Sequence, residues 1–590
     1  MAQIIRSPHQ PIQELAQPGQ NLAAFLESNP NGISGDKPAY VRAQDGKVLT
    51  RSQLFDASHK TAWSLRNILK AEPGERVAIF SSNTTWYPVA VHAHLLAGLG
   101  SVTLNPIYSV DELVHPLTDC KPAYIVAAPN TLPVVREALQ KAGLPAKNPK
   151  SGKKTLWILS DDDQLQTGDD GETDYRTLVD SANGQRLEAM PIPDPAEHES
   201  FIGYSSGTSG KPKGVQLTHA NQINLSLQMP AARFGELDPE DRTLGVLPFQ
   251  HVFALFHNVL FDLYWGVTVY VMPRFELEPF LSYVEKYQIT RLEIVPPILV
   301  LLAKSPVVDK YNLKSLKVML SGAAPLSAEL GDQAEARLNG RLGGQVRVCQ
   351  GYGLSETAPS VHACKSTAYH EFKGSIGTLF SNVEARLVDE DGKDVGCEQG
   401  KDGKPGELWV RGPTIMKGYL NRADATAEAI DSEGWFKTGD VAICPETDVS
   451  HPSLRGRGHG EHFWIVDRKK ELIKYKGFQV APAEMEALLL QHPRVGDAAC
   501  IGVYDEAEAT ENVMAFIVPS ADWSGSQGEL AKEVRAWVDR QVANHKKLRG
   551  GVRVRAEIPK SPSGKILRRL LRDEVAAEIQ DKAQAAKSKL

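Results

Sequence analysis

FIGYSSGTSGKPKG, Phe201 to Gly214, sets a short apolar run directly before a stretch of glycine, hydroxyl and lysine residues. Gly207, Gly210 and Gly214 let the backbone turn tightly and aim N–H groups at an anion. Ser205, Ser206, Thr208 and Ser209 add hydroxyl donors, and Lys211 and Lys213 add positive charge. Read together, these residues are a polyphosphate cradle, placed after a short apolar stretch and before a polar-to-apolar run with helical character. The spacing is not that of a P-loop NTPase. Gly207 and Gly210 are too close, position 205 is Ser where that motif needs Gly, and Pro212 stands where a magnesium-binding Ser or Thr should follow Lys211.

Outward from the cradle, apolar runs alternate with amphipathic stretches: RVAIF (Arg76 to Phe80), AYIVAA (Ala123 to Ala128), TLWILS (Thr155 to Ser160), TLGVLP (Thr243 to Pro248) and LKVMLSG (Leu316 to Gly322). That rhythm predicts an α/β fold with largely parallel sheets. Between Gly374 and Val410 the segments shorten and turns multiply, which predicts an antiparallel, β-barrel-like subdomain. Helix, strand, strand, helix, strand and a basic helix after about Glu471 predict a small α+β domain. The expected organisation is a large N-terminal domain, residues 1–469, a C-terminal domain, 470–575, and a tail, 576–590.

Composition limits what such a chain can be. Its 590 residues are 42% hydrophobic and 23% charged, and 66 Lys and Arg against 72 Asp and Glu leave a net charge of -6. A surface devoted to nucleic acid is disfavoured, and any anionic ligand must be held locally. The six cysteines have no C-x-x-C spacing, so neither disulfides nor bound zinc are expected. No cationic start and apolar core opens the chain, so a secretory signal is not expected. His251 to Met272 is apolar and long, but Asp262 and Gly266 divide it, and a buried helix followed by a strand is the better reading than a membrane span.

YSSGTSGKPKGVQLTHAN, QGYGLSET (Gln350 to Thr357), WFKTGD (Trp435 to Asp440), VDRKKELIKYKGFQVAPAEME (Val466 to Glu486) and PKSPSGKILRRLLR (Pro559 to Arg572) occur in that order. The chain thereby resembles the adenylate-forming, AMP-binding superfamily, and most of all the 4-coumarate:CoA ligases, acyl-CoA synthetases and firefly luciferases. The resemblance implies an ATP-dependent acyl-CoA ligase. A carboxylate would react with ATP to give an acyl adenylate and pyrophosphate, and the thiol of coenzyme A would then displace AMP. It also implies a magnesium ion and a small domain that turns between the two steps.

Residue by residue, the resemblance places the β- and γ-phosphates on Ser205, Ser206, Gly207, Thr208, Ser209, Gly210 and Lys211, with Thr208 and Glu356 flanking the metal. Gln350, Gly351, Tyr352, Gly353 and Ser355 would line the nucleotide site, Tyr352 stacking on adenine opposite Ala323 and Ala324. Asp440 and Arg468 would hold the ribose. Lys565 matches the adenylation lysine, which bridges carboxylate and α-phosphate, and His251 matches the residue beside the carboxylate. Lys474 and Gln479 match positions used in the thiol step. Lys470 matches the hinge, and Lys476 and Gly477 would flank the pantetheine channel. Taken without the motifs, each charged residue here is an ordinary surface group and His251 an ordinary core histidine.

The acyl pocket is expected to include Val252, Phe253, His257 and Met319, an apolar wall without the Asp that amino-acid-activating relatives keep near Val252. A hydrophobic aryl, arylalkyl or medium- to long-chain acid is therefore expected, since an unpaired buried ammonium would cost several kcal/mol. An enzyme that loads a carrier protein, a luciferase-like oxygenase and a nucleotide-binding regulatory protein on the same fold are the competing readings. A monomer or weak homodimer is expected. Ser588, Lys589 and Leu590 read as a peroxisomal address for an import receptor.

Overall fold

In the computed structural model two large sheets carry most of the chain. The residues described are 3–205, 212–232, 236–368, 370–395, 398–399, 404–446, 462–476, 478–505, 508, 510–520, 523–561 and 564–587. One sheet has eight strands, ordered Gly418–Tyr419, Lys213–Thr218, Glu199–Ser205, Gly100–Thr103, Arg76–Phe80, Tyr124–Ala127, Leu156–Ile158 and Thr173–Asp174. From Glu199–Ser205 onward its pairings are parallel. Its inner strands are apolar throughout because helices cover both faces. Val77, Ala78, Ile79 and Phe80 are all fully buried.

The second sheet has nine strands and centres on Arg347–Tyr352, Val318–Ser321, Arg291–Ile294, Arg242–Gly245 and Thr268–Val271. Its parallel strands end on one side, where chains of this class place their ligands. The expected barrel-like region is an antiparallel sheet, ordered Ile5–Arg6, Glu384–Val388, Gly406–Arg411, Phe436–Ile443 and Trp464–Arg468, with Asp394–Val395 also paired to Glu384–Val388.

His251 to Met272 divides as its sequence suggests. Val252–Ala254 is α-helical, Leu255–Phe261 widens to a π-helix, Asp262–Trp265 returns to α, and Thr268–Val271 is a strand. Gly266 ends the helix at φ 96°, and a Cβ there would fall 2.3 Å from Ile33 Cγ1, so only glycine fits the turn. Among the described residues no helix is long and apolar enough to cross a membrane.

A buried charged network fixes the π-helix from below. Arg291 pairs with Asp262 and, at 3.0 Å, with Glu293, while the Asn258 side chain donates to both carboxylates at 3.2 Å. The Tyr40 hydroxyl donates to the π-helical carbonyls of Asn258 and Val259 at 3.0 and 3.1 Å. Removing one member would leave a buried charge unpaired, at a cost of about 3–5 kcal/mol.

The small domain has its own core. The hairpin Ile473–Tyr475 and Phe478–Val480, the helix Pro482–Gln491 and the sheet Val495–Asp505, Thr510–Pro519 and Gly551–Val554 pack around Ile473, Met485, Leu489, Cys500 and Val534. Leu571 and Val575 of the last helix, Arg568–Lys587, cover the other sheet face at Ala499, Ile501 and Phe516.

One expectation is corrected. Cys444 is disulfide-bonded, although no disulfide was expected from the scattered cysteines. Spacing along a chain carries no information on separation in space. Cys444 lies where the strand Phe436–Ile443 gives way to Pro445–Glu446, which pairs with Glu398–Gln399.

Candidate active site

The carboxyl ends of the nine-stranded sheet, the antiparallel sheet and the small domain enclose a cleft of about 1950 Å³. Gly351, Tyr352, Gly353, Ser355, Glu356, His251, Ala323, Arg468, Lys470, Lys474 and Lys565 all line it. Residues from five distant motifs thus face one space.

At the cleft wall, Arg468 lies directly opposite the buried Asp440 on the antiparallel strands Trp464–Arg468 and Phe436–Ile443. That register brings the Arg468 Nε to 3.2 Å from the Asp440 carboxylate. The Tyr352 hydroxyl donates to the other Asp440 oxygen at 2.7 Å. Burial, with Asp440 beside it, pushes the Tyr352 phenol far above its ordinary range, so it stays a donor. Burial opposes the charge on Arg468, but Asp440 and Glu471 hold it positive. The result is a carboxylate tied to a tyrosine hydroxyl and a guanidinium, with the acceptor chemistry that sugar hydroxyls require.

Glu356 stands on the short helical turn Ser355–Thr357, and the Tyr419 hydroxyl donates to its Oε1 at 2.9 Å. Gly353 is required just before this turn. A Cβ there would fall 1.8 Å from the Pro359 carbonyl oxygen. Glu356 faces the same cleft as Lys213, whose Nζ sits 4.5 Å from the Tyr419 ring centroid.

Lys565 comes from the small domain, on a tight turn in which Ser561 N donates to the Lys565 carbonyl at 2.8 Å and Lys565 N donates to Ser561 Oγ at 3.2 Å. Burial first, and then the Arg468 cation, lower its ammonium to about 8, while Glu471, Asp440 and Glu356 pull the other way. A desolvated ammonium of this kind gains most when an anion arrives. His251 caps the helix Val252–Ala254, its Nδ1 accepting from Phe253 N at 3.3 Å. Burial and then Lys565 lower its imidazole to about 4, leaving it neutral at physiological pH.

Val252, Phe253, His257 and Leu320 line the deep end of the cleft. The Phe253 and His257 rings meet edge to face at 5.1 Å. The expectation for Met319 is corrected: Met319 is fully buried away from the cleft, and Leu320 takes its place. The strand Val318–Ser321 is apolar on both faces, so its sequence could not give the phase of the alternation.

The remaining expected residues lie elsewhere. Gln350 is buried behind the lining, its amide donating to the Gly374 carbonyl at 2.8 Å and accepting from Leu326 N at 3.3 Å. Ala324 follows Ala323, which sits in the left-handed region at φ 66°. Lys476 and Gln479 lie outside the cleft, Lys476 paired with Glu508 at 2.6 Å and Gln479 donating to Glu390 at 2.7 Å. Ser205 ends the strand Glu199–Ser205. Ser206, Gly207, Thr208, Ser209, Gly210, Lys211 and Gly477 lie outside the described residues, as do Ser588, Lys589 and Leu590.

Sequence reasoning missed Tyr419 and Glu471. Neither belongs to the residues that carry phosphate-binding composition, and only the fold brings them beside Glu356 and Lys565.

The family described as AMP-binding enzyme matches residues 28–420, and the AMP-binding enzyme C-terminal domain matches residues 484–565. A probable 4-coumarate–CoA ligase 1 from Dictyostelium discoideum is 33% identical over 573 residues, covering 93% of this chain and 97% of that protein. The 4-coumarate–CoA ligase 1 of Petroselinum crispum is 34% identical over 549 residues, covering 92% of each. The crystal structure of the anthranilate CoA ligase AuaEII in complex with anthranoyl-AMP shares the fold, with a TM-score of 0.80 at 21% identity over 95% of this chain and 99% of that one. On its sequence, its relatives and its site, the chain belongs to the AMP-binding enzymes.

Proposed function

We propose that this chain is an AMP-forming carboxylate:CoA ligase whose acid is a hydrophobic monocarboxylate. The observation that carries the reading is Lys565, a half-buried cation that the small domain brings into the cleft lined by Tyr352, Glu356, Arg468 and His251, with Asp440 just behind the lining and bonded to Tyr352 and Arg468. ATP and coenzyme A are the co-substrates. Tyr352, Ala323, Asp440 and Arg468 hold the nucleoside, with the cradle from Ser205 to Lys211 around the β- and γ-phosphates.

In the first step a carboxylate oxygen of the acid bonds to the α-phosphorus and the bond to pyrophosphate breaks. Lys565 sits where it can neutralise both the entering carboxylate and the α-phosphate, which brings two anions together at lower cost. In the second step the sulfur of coenzyme A bonds to the acyl carbon and AMP leaves. Glu356 has the oxygen donor chemistry a magnesium ion requires, and Thr208 would complete its protein contacts. Such an ion would neutralise charge on the departing pyrophosphate. For the second step the small domain would turn about Lys470 so that Lys474, Lys476, Gly477 and Gln479 face the thiol.

Val252, Phe253, His257 and Leu320 offer no carboxylate to an α-ammonium. The named relatives act on aryl acids, and an aryl or aliphatic acid without an α-amino group suits this wall. Incubation of the purified chain with ATP, coenzyme A and hexanoate, octanoate, phenylacetate, cinnamate or an amino acid, followed by AMP release, tests the reading. Faster turnover of the amino acid would overturn the pocket argument, and no AMP with any acid would overturn the reaction.

We also propose that Ser588 to Leu590, as a free C-terminus, directs the chain to the peroxisome. Imaging the chain with and without these three residues tests that.

A further inference from the structure

The helix Pro482–Gln491 is the first helix of the small domain, and neither of its cap residues bonds the helix end through a side chain, the His492 N–H alone turning back to the Leu489 carbonyl. Ala481 occupies the N-cap without a side-chain bond, and Pro482 follows at the first helical position. Each end is met instead by a charged side chain of the large domain. At the N-terminus the Asp467 carboxylate, on the strand Trp464–Arg468, accepts from Ala483 N at 2.9 Å. At the C-terminal end Lys304, the last residue of the helix Pro296–Lys304, donates to the carbonyls of Leu490 and Val495 at 3.0 and 3.1 Å.

The signs are those a helix dipole requires, an anion at the N-terminus and a cation at the C-terminus. Asp467 is buried, and its burial cost is offset in part by Arg568, which is itself ion-paired with Glu471 and Glu486. Between the two ends, Val441 and Val466 of the large domain pack on Leu472 and Ala481 of the small one. The helix that ends in Lys304 also supports the Lys565 turn. A Cβ on Gly564 would meet Val295 Cγ2 at 3.2 Å and Pro297 Cγ at 3.3 Å. One helix of the large domain therefore touches the lysine turn at its start and the small domain's helix at its end.

We propose that Lys304 and Asp467 clamp the two ends of Pro482–Gln491 and hold the small domain where Lys565 reaches the cleft, setting the balance between the adenylating position and the position for the thiol step. The proposal rests on the two-step ligase reading above. Neither residue lines the cleft, so both are positioning residues. Turning about Lys470 must break both caps, because Asp467 and Lys304 stay with the large domain while the helix moves.

The test uses the full chain and the variants Lys304→Ala, Lys304→Arg and Asp467→Asn. It measures carboxylate-dependent ATP–pyrophosphate exchange, thioester formation from supplied acyl adenylate, and amide hydrogen exchange at 483–485. Lys304→Ala and Asp467→Asn are expected to slow the first roughly five- to tenfold, leave the second unchanged or faster, and speed exchange at 483–485. Lys304→Arg is expected to restore the first. Equal loss in both half-reactions, or no loss in either, would overturn the clamp. If the parent chain shows no pyrophosphate exchange with any acid, the ligase reading fails. The clamp is then judged by hydrogen exchange alone, where unchanged protection in Asp467→Asn overturns it and faster exchange upholds it.

Discussion

Two faces of the small domain stand in contrast. The turn that carries Lys565 is inside the cleft, desolvated and surrounded by Arg468, Glu471, Asp440 and Glu356. The hairpin Ile473–Tyr475 and Phe478–Val480 buries Ile473, Tyr475 and Val480 and presents Lys474, Phe478 and Gln479 to solvent. Its Lys474 is exposed at the cleft rim, and its Gln479 and Lys476 are engaged with Glu390 and Glu508. Lys474 and Lys565 both line the cleft, but Lys476 and Gln479 are turned to partners outside it, which on the proposed two-step reading is the arrangement for adenylation. The lesson is physical: a cation in the cleft is maintained against desolvation by its neighbours, whereas one at the rim is solvated and costs nothing to wait there.

The sharpest way to break this contrast is Lys565→Ala. Adenylate formation is expected to fall by on the order of a hundredfold or more, because one positioned cation contributes several kcal/mol to a transition state of this kind. Thioester formation from supplied adenylate is expected to survive. Both half-reactions measured separately decide it, and equal losses would make Lys565 a structural residue.

A pH series asks the same question without mutation. The Lys565 ammonium sits at about 8, so it is charged below that pH and loses its proton above it. If the charged form acts, kcat/KM for adenylation is expected to be flat from pH 6 to 7.5 and to fall about tenfold per unit well above 8. His251, at about 4, adds no limb in that range. In Lys565→Arg the alkaline limb should vanish even though the rate is lower, since guanidinium does not titrate there.

How far the sequence foretold these faces depends on the kind of signal each carries. The strands Arg76–Phe80, Tyr124–Ala127 and Val318–Ser321 were legible because buried parallel strands read as unbroken apolar runs. The motif residues Tyr352, Glu356, Asp440, Arg468 and Lys565 were legible as a set, and the fold brings four of them to one cleft with Asp440 bonded behind Tyr352 and Arg468. The same apolar runs hid the phase that puts Leu320, and not Met319, in that cleft. The disulfide at Cys444 and the contacts of Lys304 with Leu490 and Val495 were illegible for another reason. Cysteine spacing does not report on pairing in space, and Lys304 meets residues nearly two hundred positions away, which no local pattern encodes.

Lys474→Ala reverses the first experiment. The side chain is exposed at the rim, while the Lys474 backbone N–H donates to Glu511 at 2.7 Å and survives the substitution. Adenylation is expected to change by less than about twofold, and the thiol step to slow roughly tenfold, the loss of one charge-assisted contact. Coenzyme A kinetics at saturating adenylate measure it, and an unchanged thiol step would remove Lys474 from the second position.

The smallest effect is expected at Gln479. In the adenylating position its amide donates to Glu390 at 2.7 Å across an exposed gap between the domains. A bond of that kind, open to water, contributes under about 1 kcal/mol. Gln479→Ala should therefore leave the adenylation rate within about twofold, and any change should be a slight slowing, because the bond helps to hold the small domain closed. If Gln479 also serves the thiol step, the same variant slows that step more than it slows adenylation. The ratio of the two half-reactions, more than either rate, is the informative quantity. A ratio that stays at the parent value would mean that the outer face of the hairpin takes no part in the second step. The contrast between the two faces would then reduce to Lys565 and Lys474 alone.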